Sequence, residues 1–488
     1  MSRFPDPVYA ETILAPQFAA SQGWLFEPML DSSEAHALML AAQELIPPQQ
    51  AALVWNALSE LRERGPNAFA YAPEVEDLFF QVEARILQLA GEEAGGNLHL
   101  ARSRNDLDAA MARLTVRRLL LETHVALERL RATLLRLIAE HVRTLMPGHT
   151  HTQPAQPTTL AHYLASTAQA LERDADRVKA AYACSNRGPL GAAALTTSGF
   201  RIDRALTARL LGFDDVVINS YDAIGGVDYA LESLSTLTTC VLGLSRLIHD
   251  LLQWATREFG VLHIDPAFLQ ISSIMPQKRN PVVLEHLRAR IGWVLGDAHT
   301  AAMLVHSAAL GDAVDVEDPL YEPLFRTFEH CLGVLRLLNA VLDSCRFDVK
   351  LLADRAAKGF TTATELADTL VRRAGLSFRQ AHRVASAVVQ LCEADPARVT
   401  TELIDSAASQ TLGRALRLDP EVVHAALDPW TFVEQRSVPG GPAPSAMEAH
   451  LVQLRERLAA DVAWRESRQA QIESARSERR RRAEALSR

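Results

Sequence analysis

Serine, lysine and asparagine stand close together in QISSIMPQKRNP, residues 270–281, as Ser272, Ser273, Lys278 and Asn280. No side chain among them is suited to hold the run in a core. It reads either as a loop that closes over a substrate or as a surface loop whose polar groups are merely solvated. In the first case the serine matters, because a serine becomes a competent base when backbone N–H groups and a nearby ammonium stabilise its oxyanion away from water. A second segment, HLARSRND at 99–106, sets Ser103, Arg104 and Asn105 in a row before a long helical pattern. Hydroxyl, guanidinium and amide groups beside a helix N-terminus form a receptor for a carboxylate; the simpler reading is a helix cap with a surface ion pair. A third, MPGHTHTQPAQP at 146–157, places Thr150, His151 and Gln153 between two helices, with Pro154 and Pro157 stiffening the exit. Its His-x-His pair lacks a third ligand at useful spacing, which favours ordinary hydrogen-bonded histidines over a metal site.

The elements that must position these segments are helical. In 230–256, Leu231, Leu234, Leu237, Val241, Leu244, Ile248, Leu251 and Leu252 recur three or four apart and cover one wide face. Similar patterns run through 107–143, 158–183, 283–309 and 323–344, with almost no alternation of period two. Five long amphipathic helices imply a bundle. Each is apolar over more than one stripe and so needs more neighbours than one chain supplies, which predicts a homo-oligomer. The Gly-rich break GEEAGGNLH and the start of KGFTTATELADTL, whose threonines are cap candidates, divide the chain into an N-terminal helical domain (1–106), a central bundle (107–360) and a C-terminal helical domain (361–488). The closing run ESARSERRRRAEALSR reads as a solvated helix face or a frayed tail, with no catalytic role.

Composition narrows the partners. With 488 residues, 48% of them hydrophobic, the chain can bury a large core. A net charge of -9 and a pI near 6.0 argue against nucleic acid and anionic membranes as partners, so an anionic partner is expected to be small. The five cysteines show no CxxC spacing and read as reduced core thiols. The N-terminus has no apolar leader-like stretch, and the expected location is the cytoplasm.

Taken together, the three segments resemble the signature regions of the fumarase/aspartase superfamily, most closely its argininosuccinate lyase branch. SSIMPQKRNP is similar to the superfamily loop GSSxMPxKxNP, HLARSRND to the branch's H-T-A/G-R-S-R-N-D, and GHTHTQPAQP to its G-Y-T-H-L-Q-x-A-Q-P. The likeness extends through GPLGAAAL, GFRIDRALTARLLGF, INSYDAI and GFTTATELAD, and covers nearly the whole chain. It implies an all-α, three-domain protein that assembles as a homotetramer on a twenty-helix core, each active site drawing its three regions from three subunits. It also implies anti elimination from a succinyl group to give fumarate, without metal or organic cofactor. Matched residue by residue, Ser272 is the base that takes the Cβ proton, and Lys278 and Asn280 stabilise the resulting aci-carboxylate. Ser103, Arg104, Asn105, Thr150 and Ser273 hold substrate carboxylates, with Gln153 and Met275 completing the binding set. His151 matches the family histidine and Glu285 the glutamate that pairs with it.

The chain also departs from that pattern. Ile271 replaces the loop's leading glycine, so a different hinge geometry is expected. The branch carries Y-N-x-D-L-Q-E-D-K, whose Tyr, Gln and Lys contact the amino-acid half of the substrate; here the stretch reads GDAVDVEDPLYEPLF (311–325), with Gly311, Val316 and Pro319 at or near those places. The branch's D-x-x-G-S reads MLDSS at Met29 to Ser33, so its Asp is lost. The fumarate end is kept and the arginine end altered. The expected substrate is therefore another N-substituted aspartate, with an aminopolycarboxylic acid such as ethylenediamine-N,N′-disuccinate (EDDS) as the best fit and argininosuccinate as the alternative. A purely structural role, as of lens proteins in this branch, is disfavoured because Ser272, Lys278, Asn280, His151 and Glu285 are all present.

Overall fold

The computed structural model describes residues 4–393 and 395–486. Its N-terminal part is built from α1 (Phe26–Ala42), α2 (Pro48–Arg64) and α3 (Leu78–Ala90). The long α4 (Arg104–Glu140) leads into a β-hairpin of β1 (Leu145–Thr150) and β2 (Gln153–Thr159), and α5 (Leu160–Ser185) returns along α4. After α6 (Asp228–Ala255), two short strands, β3 (Gln270–Ile271) and β4 (Arg279–Asn280), pair antiparallel. The bundle then closes with α7 (Val282–Val305) and α8 (Asp318–Ser344), packed on each other and on α6 and α4. All five expected long helices form. Along α6, Leu234, Leu237, Val241, Leu244, Ile248 and Leu251 are buried, while Leu231 and Leu252 flank them half-buried.

One apolar cluster runs from Phe18 through the bundle to Leu454. A separate one is confined to Phe360–Ala426, around α9 (Ala363–Ala374), α10 (Phe378–Leu391) and α11 (Thr401–Leu412). The threonine expected to cap α9 does not: Thr362 occupies the cap position without a side-chain bond, and Thr361 donates back to the carbonyl of Ala356. Cys240, Cys331, Cys345 and Cys392 are buried free thiols; Cys184 departs from the core reading and is half-buried.

The closing basic run is neither frayed nor simply solvated. It ends α12 (Pro444–Leu486), a helix of 43 residues that lies back along α4, α5, α2 and α1. Its first turns dock through Met447, Leu451 and Leu454, which join the main apolar cluster, and charge holds much of the rest. Asp461 meets Arg131 and Lys179, Arg465 holds Glu128 at 2.9 Å, and the buried Arg479 reaches Asp31 at 2.7 Å and Glu34 at 3.3 Å. Beyond Leu458 no apolar stripe continues, which is why hydrophobic period misses the length of the helix. Among the described residues no helix is long and apolar enough to cross a membrane.

Candidate active site

Ser103 is the N-cap of α4, its hydroxyl oxygen accepting from the Asn105 N–H while Asp106 accepts from the Ser103 N–H at 2.9 Å. Asp106 is buried and also receives the N–H groups of Gly191 and Ala193 at 2.7 and 3.0 Å, which draws the GPLGAAAL segment over the cap. Burial raises its pKa, and these N–H bonds and nearby Arg102 oppose the rise. Beneath the cap, Arg102 donates to Ser33 at 3.1 Å, and desolvation pushes its pKa down to about 10. The MLDSS stretch that departs from the branch pattern is thus folded into α1, with Ser32 and Ser33 buried and Asp31 tied to Arg62 and Arg479.

Arg104, expected to hold a substrate carboxylate, is engaged by this chain's own acids. Its guanidinium lies 2.5 Å from Asp77 and 3.5 Å from Asp108, with Asp318 and Glu317 acting on it electrostatically. Both the cap and the ion pair of the simpler reading are therefore present.

The second segment turns where two helices were expected to be joined by a loop. Leu145–Thr150 pairs with Gln153–Thr159, and His151 and Thr152 form a two-residue turn at φ 51° and 64°. Neither is glycine, so each left-handed residue costs about 1 kcal/mol. The turn presents the His151 side chain to solvent at the tip of a stiff hairpin, and Thr150 and Gln153 flank it. Beside the hairpin lies a cavity of about 750 Å³, lined by His149, Thr150, His162, Tyr163, Asp250 and Arg436 among others; of the expected site residues it takes in Thr150.

In the third segment Ile271 sits in β3 opposite Arg279, so the loop starts from extended backbone that needs no glycine. Between the strands, the Ser272 oxygen accepts from the N–H of Ile274 at 3.4 Å and of Met275 at 3.1 Å. These donors are of the kind that stabilise an alkoxide. Ser273, Met275 and Lys278 are exposed, Asn280 is half-buried in β4, and Glu285 is exposed in the first turn of α7. Lys278 makes no ion pair among the described residues, and His151 and Glu285 do not meet within the chain.

One chain does not bring the three segments together. Arg104 opens α4 and the His151 hairpin follows its far end; 37 residues of helix are about 55 Å long. Arg136, near that far end, bonds Asp343 at the close of α8, while Asp318 at the start of α8 faces Arg104. The two helices are therefore parallel, and the cap sits at one end of the bundle with the hairpin at the other.

The acids around Arg104 were not singled out from sequence. Asp108 follows Arg104 by one helical turn, and Asp312, Glu317 and Asp318 are spelled out in GDAVDVED. Burial and neighbouring acids push the Asp108 carboxyl up to about 7 and that of Glu317, which shares a hydrogen bond with Asp312, up to about 8. Asp318 is raised by burial too.

Residues 18–296 match the family described as lyase, and residues 360–434 the one described as argininosuccinate lyase C-terminal. The chain is 39% identical to argininosuccinate lyase of Methanoculleus marisnigri over 452 residues, which cover 93% of this chain and 91% of that protein. It is 35% identical to argininosuccinate lyase 1 of Shouchella clausii over 462 residues, 94% of this chain and 92% of that one. Among solved structures, an EDDS lyase variant with bound fumarate superposes with a TM-score of 0.88 at 27% identity, covering 99% of this chain and 96% of that one.

Proposed function

The chain belongs to the lyase family and is a carbon–nitrogen lyase of the aspartase/fumarase superfamily with that superfamily's all-α fold, and on that premise we propose that it eliminates arginine from argininosuccinate to give fumarate. The observation that carries the substrate is the match, along nearly the whole chain, to curated argininosuccinate lyases at 35% to 39% identity. Purified protein supplied with argininosuccinate should release fumarate, read as growth of ultraviolet absorbance. Absence of turnover, with rapid release from EDDS, would reject the substrate.

EDDS is the second reading. It is favoured by the likeness to EDDS lyase across 99% of the chain and by Gly311, Val316 and Pro319 standing at or near the places of the branch's Tyr, Gln and Lys.

In the proposed mechanism Ser272 takes the Cβ proton. Its loss puts a second negative charge on the neighbouring carboxylate, a state accessible when donors and cations are already aimed at it. The Ile274 and Met275 N–H groups already on the Ser272 oxygen support this role, as do the unpaired Lys278 ammonium and the Asn280 amide beside it. Ser103, Arg104, Asn105, Thr150, Gln153, Ser273 and Met275 bind the substrate, and His151 with Glu285 serves the departing nitrogen. The separation of cap and hairpin along α4 means that other copies must complete each site, so we propose a homotetramer with domains at 1–106, 107–360 and 361–488. Exposed Trp293 and Met303 on α7 and Leu242 on α6 offer apolar surface for such packing.

A further inference from the structure

The cavity beside the hairpin, about 750 Å³ in volume, is large enough for a small organic molecule, and none of Ser272, Lys278, His151 and Glu285 lines it. It opens where β1 and β2, the first turns of α5, the last turns of α6 and residues 432–442 meet. Bonds fasten these walls around the space: His162 of α5 joins the Thr158 hydroxyl at 2.8 Å and the Gly440 carbonyl at 2.9 Å, and Gln156 of β2 donates to Thr364 at 3.0 Å. The lining is rich in aromatic rings. Trp254 and Phe432 are buried, Tyr163 packs on Trp254 with ring centroids 4.9 Å apart, and Phe259 is half-buried. Asp250 is the one carboxylate among the described residues that line the space. It is half-buried; its Oδ2 accepts from the Tyr163 hydroxyl, while Oδ1 has no hydrogen bond and the side chain no ion pair among the described residues. Neither guanidinium nearby neutralises it. Arg436 pairs with Glu365 at 3.1 Å and lies on the Phe432 ring, and Arg355, over the Phe259 ring at 4.8 Å, donates to the Glu258 carbonyl. Arg246, one turn earlier on α6, is exposed and outside the lining. Both nitrogens of His162 are bonded, and burial lowers the pKa of His149, which keeps that ring neutral at neutral pH.

We propose that this cavity binds an organic cation with a flat apolar body, whose N–H groups donate to Asp250 Oδ1 while the body lies against Tyr163, Trp254 and Phe432. A half-buried carboxylate without a counter-ion attracts a cation more strongly than one in open water, and aromatic faces add to the attraction. The ligand is additional to the substrate of the elimination, and its binding stands or falls apart from the lyase reading. An occupant also touches Gly148 and Thr150 in β1 and Phe432 in the C-terminal part, and so ties the strand that ends in the His151 turn to its neighbour.

The test is calorimetric titration of the full-length protein with 2-phenylethylamine, 2-phenylethanol and 3-phenylpropionate, which share a ring and differ in charge. The amine should bind about tenfold more tightly than the alcohol or better, and the carboxylate most weakly. Asp250→Asn, whose amide oxygen can still accept from Tyr163, should bring amine and alcohol within about twofold of each other. Hydrogen exchange on the unaltered protein locates the site without recourse to a variant: the amine should slow exchange in residues 145–159 and 432–442. Equal binding of amine and alcohol, a preference that survives Asp250→Asn, slowed exchange confined to other parts of the chain, or failure of all three probes to bind overturns the inference.

Discussion

Replacing Asp108 by asparagine should make the folded protein more stable above neutral pH and leave it nearly unchanged in mild acid. The carboxyl has an ordinary pKa of 3.8 and is pushed up to about 7, first by desolvation and then by Asp318, Asp77 and Asp312, against the pull of Arg104. Between those two values the folded state keeps a proton that the unfolded chain releases. Stability therefore falls as pH rises from about 4 to about 7 and is level beyond. Each pKa unit is worth about 1.4 kcal/mol, which sets a ceiling of about 4 kcal/mol for the relief. The side chain is 15% exposed, so screening removes little. That shift already contains the pull of Arg104; the poorer fit of the asparagine amide to the site offsets about 1 kcal/mol, and a net gain of about 2–3 kcal/mol remains. An unfolding entropy of about 2 cal/mol/K per residue converts this, for a chain of 488 residues, into a rise in Tm of about 2–3 °C. Differential scanning calorimetry of both proteins from about pH 5 to about pH 9 should show the difference opening through neutrality. A constant offset, or a variant that melts lower at the alkaline end, would refute the placement of this carboxyl among like charges.

Three further outcomes are expected. Ser272→Ala should lower fumarate release by about a thousandfold or more while the affinity for substrate, read by titration, changes little, because the lost group acts in the transition state; near-normal turnover would remove the serine from the mechanism. His151→Asn should cost less and unequally among substrates, since water can protonate some departing amines; a loss as deep as that of Ser272→Ala, on every substrate tried, would make the histidine the obligatory acid. Arg479→Ala leaves Asp31 and Glu34 with Arg62 alone and should destabilise by about 1–3 kcal/mol, with α12 cleaved early in limited proteolysis; an unchanged digest would mean that the ion pairs do not fasten the helix.

Much of the bundle is legible because its helices are long and keep their period: the α6 leucines bury where their spacing says they should. The hairpin at His151 is not legible, because its proline-rich strands show no alternation and its turn uses His and Thr at positive φ instead of glycine. Ile271 shows how local backbone is decided by pairing. It stands where the superfamily loop has glycine and lies in a short strand opposite Arg279. The acids near Arg104 escape notice because they come from three separate stretches, and only packing of α4 against α8 shows that Asp108 and Asp318 bear on one guanidinium. No reading of one chain's periodicity reveals how copies join, which is why the assembled site stays a proposal built on His151 and Arg104 lying at opposite ends of α4.

The docking of α12 has a consequence for biosynthesis. Arg479 is the partner of Glu34, 445 positions earlier, so α1 leaves the ribosome with buried acids long before this counter-ion is made. Until Arg479 has emerged, Asp31 and Glu34 depend on Arg62 alone for neutralisation, and α1 waits for its second clasp. Nascent chains halted before Arg479 should accordingly be the form most in need of chaperones.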